Sequence, residues 1–229
     1  GLELSLRALF EHPTVEALGL ILSELGKNTR GRVTLGEGAQ GNNRVLSYGQ
    51  LRMWTLDRIE GGTASHNMPL AMRLGGSLSV PALELALQDV VARHEPLRTI
   101  IVDDDGSPLG KLRPVQHSEA ILSREDLSQL SRRLKDRLIE KNLSEESSRL
   151  FDMSRDLLLR AKLLQLTQDD FILILVIHHG AGDGVSLPIL VRDLGQAYSA
   201  RLNACARTLS PLSVTYADHA SWQKRLLDE

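Results

Sequence analysis

The sequence has one cysteine, few aromatic residues, no long hydrophobic segment and no excess of either charge. Because Cys205 is the single cysteine, an internal disulfide and a cysteine metal cluster are excluded. The 27 basic and 29 acidic residues nearly cancel, which leaves no electrostatic signature for binding nucleic acid or an anionic membrane surface. The longest apolar run, Phe171 to Ile177, is too short to cross a bilayer.

Two further absences bear on the compartment and on the core. The chain starts Gly1-Leu2-Glu3, without the basic and then apolar region of a secretory signal, so a cytoplasmic protein is expected. Aromatic residues make up only 3% of the chain, so a core has to be built from Leu, Val, Ile and Ala. The 229 residues, 42% of them hydrophobic, suffice for one large domain or for a medium domain with an appendage.

The distribution of glycine and apolar residues divides the chain into three parts. Residues 1–25 contain an amphipathic helix after a turn at His12-Pro13, but they are too short to bury a core alone. Residues 26–45 hold five glycines among polar residues, which predicts a flexible linker. Residues 46–229 alternate between helical and strand-like patterns and are predicted to form the main domain.

The main domain is predicted to have an α+β fold, with helices covering a sheet. Helical patterns occur at residues 46–56, from Ser79 through Val91, at 125–143 and at 187–202, and strand patterns at 70–74, 99–102, 160–166 and 171–177. The last two strands are predicted to form a hairpin. Since its second strand is apolar on both faces, that strand should be central in the sheet.

The segment that points most directly to chemistry is His178-His179-Gly180-Ala181-Gly182-Asp183-Gly184, between the apolar strand and the last long helix. Neighbouring residues of a strand point to opposite faces, so one histidine should be packed and the other presented. The same geometry argues against a shared metal ion. Asp183 is placed to hold the loop by hydrogen bonding or by pairing with an arginine.

A histidine suits acyl transfer, because imidazole titrates near neutral pH and can take a proton from an attacking amine or hydroxyl. There is no Gly-x-Ser-x-Gly motif, and Cys205 lies in an apolar helical tail without a neighbouring base, so a covalent nucleophile is not supported. The pattern favours direct attack of a bound acceptor on a bound acyl donor. A histidine pair before a glycine turn is also a common structural feature, and these residues alone leave that alternative open.

Residues 178–184 resemble the HHxxxDG signature of condensation domains in nonribosomal peptide synthetases. Four further segments resemble motifs of the same family in the same order. They are Ser47-Tyr48-Gly49-Gln50-Leu51-Arg52-Met53-Trp54-Thr55-Leu56 for SxAQxR[LM]WxL, Arg93-His94-Glu95-Pro96-Leu97-Arg98-Thr99 for RHExLRT, Phe151-Asp152-Met153-Ser154 with Leu158-Leu159-Arg160-Ala161 for FDLS-x-PLLRA, and Tyr216-Ala217-Asp218-His219-Ala220-Ser221-Trp222-Gln223 for YxDYAxWQ. Gly49 stands where the family usually has alanine.

The resemblance implies a fold and a domain context. Family members consist of two related lobes, each like chloramphenicol acetyltransferase, with the active site in a tunnel between them, and the matches here cover the N-terminal lobe. Residues 6–18 resemble the last helices of a peptidyl carrier domain, whose phosphopantetheine serine, in a GGxS motif, would precede Gly1. Gly75-Gly76-Ser77-Leu78 resembles that motif loosely and is interpreted as a turn.

The resemblance also implies roles for individual residues. His179 would be catalytic and His178 would pack inside, while Asp183 would pair with an arginine and hold the loop. Arg93 and Arg98 would be structural residues of the active site. For either arginine the alternative is that it complements the dipole at a helix C-terminus.

Four other residues receive lesser roles. His94 lies on the apolar face of its helix and is expected to be a hydrogen-bonded core histidine. Gly182 and Gly184 are expected to be needed for conformation and could let a backbone N–H approach the thioester oxygen. Trp222 belongs to a motif near the substrate tunnel, with packing as its more ordinary role. No residue is assigned to a metal.

The activity that the resemblance implies is amide-bond formation between two carrier-bound substrates. The amine on a downstream carrier would attack the thioester on an upstream carrier. The phosphopantetheine arms of those partner carriers would deliver the substrates, and the lobe would bind no cofactor of its own. The other expected partners are the missing C-terminal lobe and an adenylation domain, with no nucleic acid and no membrane. As an isolated lobe the chain is expected to be inactive.

Three alternatives to this activity stay open. The chain could serve as a non-catalytic docking and structural lobe. It could belong to an epimerisation domain, which shares HHxxxDG and which Val185-Ser186 slightly resembles, although the first two motifs favour condensation. It could also transfer the acyl group to a hydroxyl and form an ester. A cyclisation domain is disfavoured, since the DxxxxD motif of that class is absent.

Overall fold

The structure is a computed structural model that describes residues 6–25, 35, 43–115, 120–204 and 209–227. The chain divides into two compact units, Gly1–Thr34 and Leu35–Glu229. Most of the predicted linker at residues 26–45 lies outside the described residues, and so does Cys205.

The described residues of the first unit, 6–25, form two short helices, α1 (Leu6–Glu11) and α2 (Val15–Leu25). The helix predicted after the His12-Pro13 turn is therefore present, and the hydroxyl of Thr14 accepts a hydrogen bond from Ala17 N at its start. Large apolar side chains of this unit are exposed, including Phe10 at 82% and Val15 at 89%.

The second unit has the α+β composition that the sequence predicts. Its helices are α3 (Tyr48–Glu60), α4 (Val80–Arg93), α5 (Arg132–Ser148), α6 (Ser186–Leu202) and α7 (Tyr216–Leu227). Its strands are β1 (Asn43–Arg44), β2 (Asn67–Gly75), β3 (Thr99–Asp104), β4 (Ser107–Leu112), β5 (Leu122–Asp126), β6 (Leu159–Thr167) and β7 (Asp170–His178). Single 3₁₀ turns lie at Ala64–His66 and Glu95–Arg98.

The larger sheet has the strand order β2-β7-β6-β5, so β7 is central as predicted. The β6–β7 hairpin is confirmed, β2 pairs antiparallel with β7, and β5 runs parallel to β6. Alternate residues of β7 enter two different cores, because side chains of a strand point to opposite faces. Leu173 and Leu175 pack with α4 and α6, whereas Ile174 packs with α3 and α5.

A smaller sheet, with the order β1-β4-β3, was predicted only at β3. The strand β4 contains Pro108 and Gly110, two residues that are uncommon in strands, so its sequence gives a weak signal. Glycine is required at position 110: a Cβ there would lie 2.8 Å from both the Arg44 carbonyl oxygen and Leu46 Cδ2. Close approach of β1 therefore depends on this glycine.

Two predicted helix starts are wrong. Residues 125–131 do not belong to a helix, because Leu122–Asp126 forms an edge strand paired with β6, and α5 begins only at Arg132. The charged, exposed face of this edge strand resembles a solvated helix face in sequence. Helix α3 begins at Tyr48 rather than Leu46, because Ser47 and Gln50 form a capping box.

Candidate active site

The histidine loop follows the end of the central strand β7 and leads into α6. His179 N donates a hydrogen bond of 2.8 Å to His66 O, and Ala181 N donates one of 2.9 Å to His178 O. These bonds tie the start of the loop to the 3₁₀ turn before β2 and to its own strand end. The strand therefore fixes where the two histidines lie.

His178 is packed inside, with 1% of the residue exposed. Gly180 N donates a hydrogen bond of 3.0 Å to its Nδ1, so Nδ1 carries no proton. Burial, with smaller effects from nearby positive groups, lowers the pKa of His178 to about 4, and the side chain is neutral near pH 7. A Cβ on Gly180 would lie 2.7 Å from Met153 Cε and 3.1 Å from His178 Nδ1, so a larger residue there would have to displace the end of the Met153 side chain.

His179 is exposed, in contrast to its neighbour. Its Nδ1 lies 2.8 Å from the carbonyl oxygen of Gly182. A carbonyl oxygen can only accept a hydrogen bond, so Nδ1 carries the proton of the neutral ring and the lone pair lies on Nε2. The loop thus holds His179 in the tautomer that presents a proton acceptor.

Asp183 holds the loop from within. Its Oδ1 accepts hydrogen bonds from Ser186 Oγ at 2.6 Å, Ser186 N at 2.9 Å and Val185 N at 3.1 Å. The Ser186 hydroxyl is the main cause of a lowered pKa for this carboxyl group. The expected arginine partner is not found among the described residues; the contacts of this carboxylate are the hydrogen bonds that its Oδ1 accepts from Val185 and Ser186.

The two glycines of the loop differ. A Cβ on Gly182 would come within 3.1 Å of Ser186 Cβ, so space limits this position. At Gly184 no heavy atom of the described chain lies within 4 Å of such a Cβ, and the φ angle is not in the left-handed region. Neither crowding nor a left-handed φ angle therefore accounts for glycine at position 184, and its expected role stays a prediction.

The two arginines of the second motif have different partners. Arg93 Nε lies 3.1 Å from Asp193 Oδ2, and its side chain is 16% exposed. Arg98 donates hydrogen bonds to the carbonyl oxygens of Arg113 at 2.8 Å and Ala92 at 3.3 Å, and its burial lowers its pKa. Only Arg93 reaches α6, the helix that follows the histidine loop.

Asp193 is a buried acidic residue that the sequence interpretation missed. It is 1% exposed and accepts a hydrogen bond of 2.9 Å from His94 Nε2. The available signal was position: Asp193 lies three residues after Leu190, on the apolar face of α6. His94 has the expected hydrogen bond, but it lies at the edge of a cavity, with 20% of its side chain exposed.

A cavity of about 280 Å³ adjoins the loop. Mostly apolar residues of the Glu95–Arg98 turn, α6 and the segment before α7 line it, together with the polar side chains of Arg93, His94 and Glu95. Ala181, Gly182 and Ser186 form the side of the cavity next to the histidines. The arrangement offers a small apolar space beside a histidine that can accept a proton.

Trp222 lies on α7 in a row of rings. Its ring centroid is 5.7 Å from that of His219, which in turn lies 5.5 Å from Tyr216. Tyr216 lines the cavity, and its hydroxyl oxygen is 2.9 Å from Ser47 Oγ. Trp222 is thus half-buried, and His219 lies between it and Tyr216 of the cavity wall.

Within the described ranges, no group of three or more His, Cys, Asp or Glu side chains is arranged to hold a metal ion. In the same part of the chain, no helix combines the length and apolar character that crossing a membrane requires.

The central strand, the histidine loop and the five motifs lie in one α+β unit with the chloramphenicol-acetyltransferase-like fold. Residues 41–229 match the family model of the condensation domain, and the chain belongs to that family. A dimodular nonribosomal peptide synthase of Bacillus subtilis is 36% identical over 227 residues, which are 99% of this chain and 9% of that protein. The chain thus spans a small part of this curated relative.

Solved structures show the same fold over less than half of their length. The X-domain in its complex with OxyB from teicoplanin biosynthesis is 34% identical, with a TM-score of 0.74 over 87% of this chain and 42% of that one. The first condensation domain of the calcium-dependent antibiotic synthetase, in complex with a substrate analogue, is 19% identical, with a TM-score of 0.70 over 82% of this chain and 44% of that one.

Proposed function

We propose that this chain contributes the catalytic histidine of a condensation domain that forms an amide bond between two carrier-bound substrates. The observation that carries the proposal is the hydrogen bond from His179 Nδ1 to the Gly182 carbonyl oxygen, which places the lone pair of an exposed imidazole on Nε2. His178 cannot share this role, because it is buried and its Nδ1 already accepts a bond from Gly180 N.

In the proposed reaction the acceptor amine attacks the carbonyl carbon of the donor thioester. His179 Nε2 accepts a proton from the attacking nitrogen, a C–N bond forms and the C–S bond breaks. The proton then passes to the leaving sulfur, which is released as a thiol. The phosphopantetheine arms of the carriers hold the two substrates as thioesters, and the chain supplies the proton acceptor and the wall of the site.

The proposed partners follow from the same chemistry. One peptidyl carrier domain presents the donor and a second presents the acceptor, and an adenylation domain loads a carrier. A second lobe covers His179 and completes the tunnel, in keeping with the share of 42% to 44% that this chain covers in the solved relatives. The reaction is proposed to take place in the cytoplasm.

Replacing the proposed catalytic residue tests the function. In the complete condensation domain with both loaded carriers, His179→Ala is expected to lower the rate of dipeptidyl product formation about 10²- to 10⁴-fold, the usual contribution of a general base. His12→Ala is the matched control, because His12 is an exposed histidine outside the family match. Undiminished product from His179→Ala would overturn the assignment.

A non-catalytic docking lobe is the second candidate. The solved complex of the X-domain and OxyB shows a protein of this fold bound to a partner protein. If the chain is a docking lobe, the complete domain with His179→Ala is expected to bind its partner protein as tightly as the wild-type domain does. A condensation assay on residues 1–229 alone adds a further check: the proposal expects no detectable product from this lobe, because one wall of the tunnel is missing.

A further inference from the structure

The carboxylate of Asp193 is buried near the cavity and has three polar neighbours, Arg192, His94 and Arg93. Its Oδ1 accepts hydrogen bonds from Arg192 Nε at 3.1 Å and Nη2 at 2.9 Å. Its Oδ2 lies 2.9 Å from His94 Nε2 and 3.1 Å from Arg93 Nε. The buried carboxylate of Asp193 on α6 thus contacts Arg93, the last residue of α4, and His94, which directly follows it. These two residues begin the second motif.

Asp193 is ionised in this setting. Burial alone would raise its pKa, but the hydrogen bonds from Arg192 and His94, with smaller electrostatic effects of the neighbouring His94 and Arg93 side chains, outweigh burial and lower it. An ionised carboxylate only accepts hydrogen bonds, so the His94 ring must carry a proton on Nε2. In the neutral ring the lone pair is then on Nδ1.

His94 stands between this carboxylate and the cavity. It lines the cavity together with Ala181, Gly182 and Ser186 of the histidine loop. Two charged side chains also line it: Arg93 pairs with Asp193, and the carboxylate of Glu95 accepts hydrogen bonds from Arg44 at 2.8 Å and 2.9 Å. No hydrogen bond among the described residues involves His94 Nδ1, so in the neutral ring this nitrogen has free capacity to accept one beside the apolar part of the wall.

We propose that Asp193 is a positioning residue that fixes His94 so that its Nδ1 accepts a hydrogen bond from an N–H group of a substrate bound in the cavity. This inference rests on the proposed function for the identity of the substrate, a carrier-bound aminoacyl group on its pantetheine arm. The N–H group is either the amine of the aminoacyl moiety or an amide of the arm.

The experiment uses the complete condensation domain and measures two quantities separately. The dissociation constant of an aminoacyl-pantetheine amide analogue is determined by calorimetry, and the rate of product formation is determined at saturating carrier concentrations. Asp193→Asn and His94→Leu are each expected to raise the dissociation constant about tenfold, as expected for a lost hydrogen bond to the substrate. The saturated rate is expected to stay within about twofold.

The double variant and a matched control separate positioning from a structural role. If Asp193 acts through His94, the double variant binds no more weakly than His94→Leu alone. Asp89→Asn removes another link between α4 and α6, the pair with Arg201 at 2.7 Å, without touching the cavity. It is expected to leave the dissociation constant unchanged. Equal effects of Asp89→Asn and Asp193→Asn would show that only the helix contact matters and would overturn the proposal.

Further outcomes keep the inference independent of folding and of the reaction. An unchanged dissociation constant in His94→Leu overturns it, even if Asp193→Asn fails to fold. A domain that forms no product but binds the analogue through His94 contradicts the proposed reaction and supports this inference. Pantetheine without an aminoacyl group distinguishes the two donors: if it binds with the same tenfold difference between wild type and His94→Leu, the N–H group belongs to the arm.

Discussion

At the scale of single residues, the two adjacent histidines of the loop have opposite environments. His178 is almost completely buried and accepts a hydrogen bond from the backbone, whereas His179 is exposed and uses the carbonyl oxygen of Gly182. Strand geometry causes the division, because β7 ends at His178 and the turn begins directly after it. The same residue type therefore supplies a structural contact at one position and a proton acceptor at the next.

The stability of the protein is expected to depend on the ionisation of His178. Its pKa in the folded protein is about 4, below the ordinary value of 6.5, so its contribution is fully present above pH 6.5 and is lost as the pH falls towards 4. A shift of this size corresponds to about 3 kcal/mol of unfolding free energy. Urea unfolding at a series of pH values measures this loss.

The control for this prediction is His178→Asn, which keeps an acceptor for Gly180 N but does not titrate. The variant is expected to be less stable near pH 7, since a smaller side chain fills the site, and to lose less stability between pH 6.5 and 4. Identical pH dependence in the two proteins would show that another group is responsible.

At this scale the sequence predicts which side chains are buried and which are exposed, but not which residues they contact. The alternation along β7 correctly predicts one packed and one presented histidine. The contact between His94 and Asp193 joins residues 99 positions apart, and a periodic pattern contains no such information. A periodic pattern likewise contains no information on which residues contact Asp183.

At the scale of elements, the sequence best predicts the helices and strands whose pattern of apolar residues is unambiguous. The β6–β7 hairpin and helix α4, with its Ser79 cap, were predicted because their apolar patterns are clear. The end of the edge strand β5, from Glu125, falls within the stretch predicted as helix, because only Leu122 of the five strand residues is buried and gives a strand signal. Its pairing with β6 is parallel and long-range, so it depends on tertiary structure that local propensity does not contain.

The smaller sheet is expected to depend on the glycine at position 110, which leaves room for β1. Gly110→Ala places a Cβ against the Arg44 carbonyl oxygen and is expected to lower the unfolding free energy by about 1–3 kcal/mol, the usual cost of overpacking. Gly195→Ala in α6 is the matched control, because a Cβ there meets nothing within 4 Å among the described atoms. It should raise stability by about 0.5–1 kcal/mol.

Chemical denaturation of the three proteins checks both signs in one experiment. A loss in Gly195→Ala as large as that in Gly110→Ala would contradict the steric explanation. An unchanged midpoint in Gly110→Ala would show that β1 can move away from β4 without a cost to the folded state.

At the scale of the whole molecule, the second unit contains the two buried clusters that the structure describes. One cluster joins α4 and α6 to one face of the larger sheet, and the other joins α3 and α5 to the opposite face. The five motifs that identified the family all lie within this unit. Their order in the sequence was sufficient to predict the family, which the match over residues 41–229 confirms.

Removal of residues 1–34 is expected to leave the thermal midpoint of the second unit within about 2 °C of its value in the full chain, because both clusters consist of residues from that unit. Circular dichroism on the two proteins measures the midpoints. A decrease of more than about 5 °C would show that the first unit contributes to the stability of the second.

The contact between Ser47 and Tyr216 has a consequence for how the protein is made. It joins the residue that caps α3 to the first residue of α7, which lie 169 positions apart. During synthesis, the start of the domain leaves the ribosome long before its partner has been translated. The second unit therefore completes its fold only after nearly all of its chain has emerged, whereas the capping box of α3 is local and can form before that.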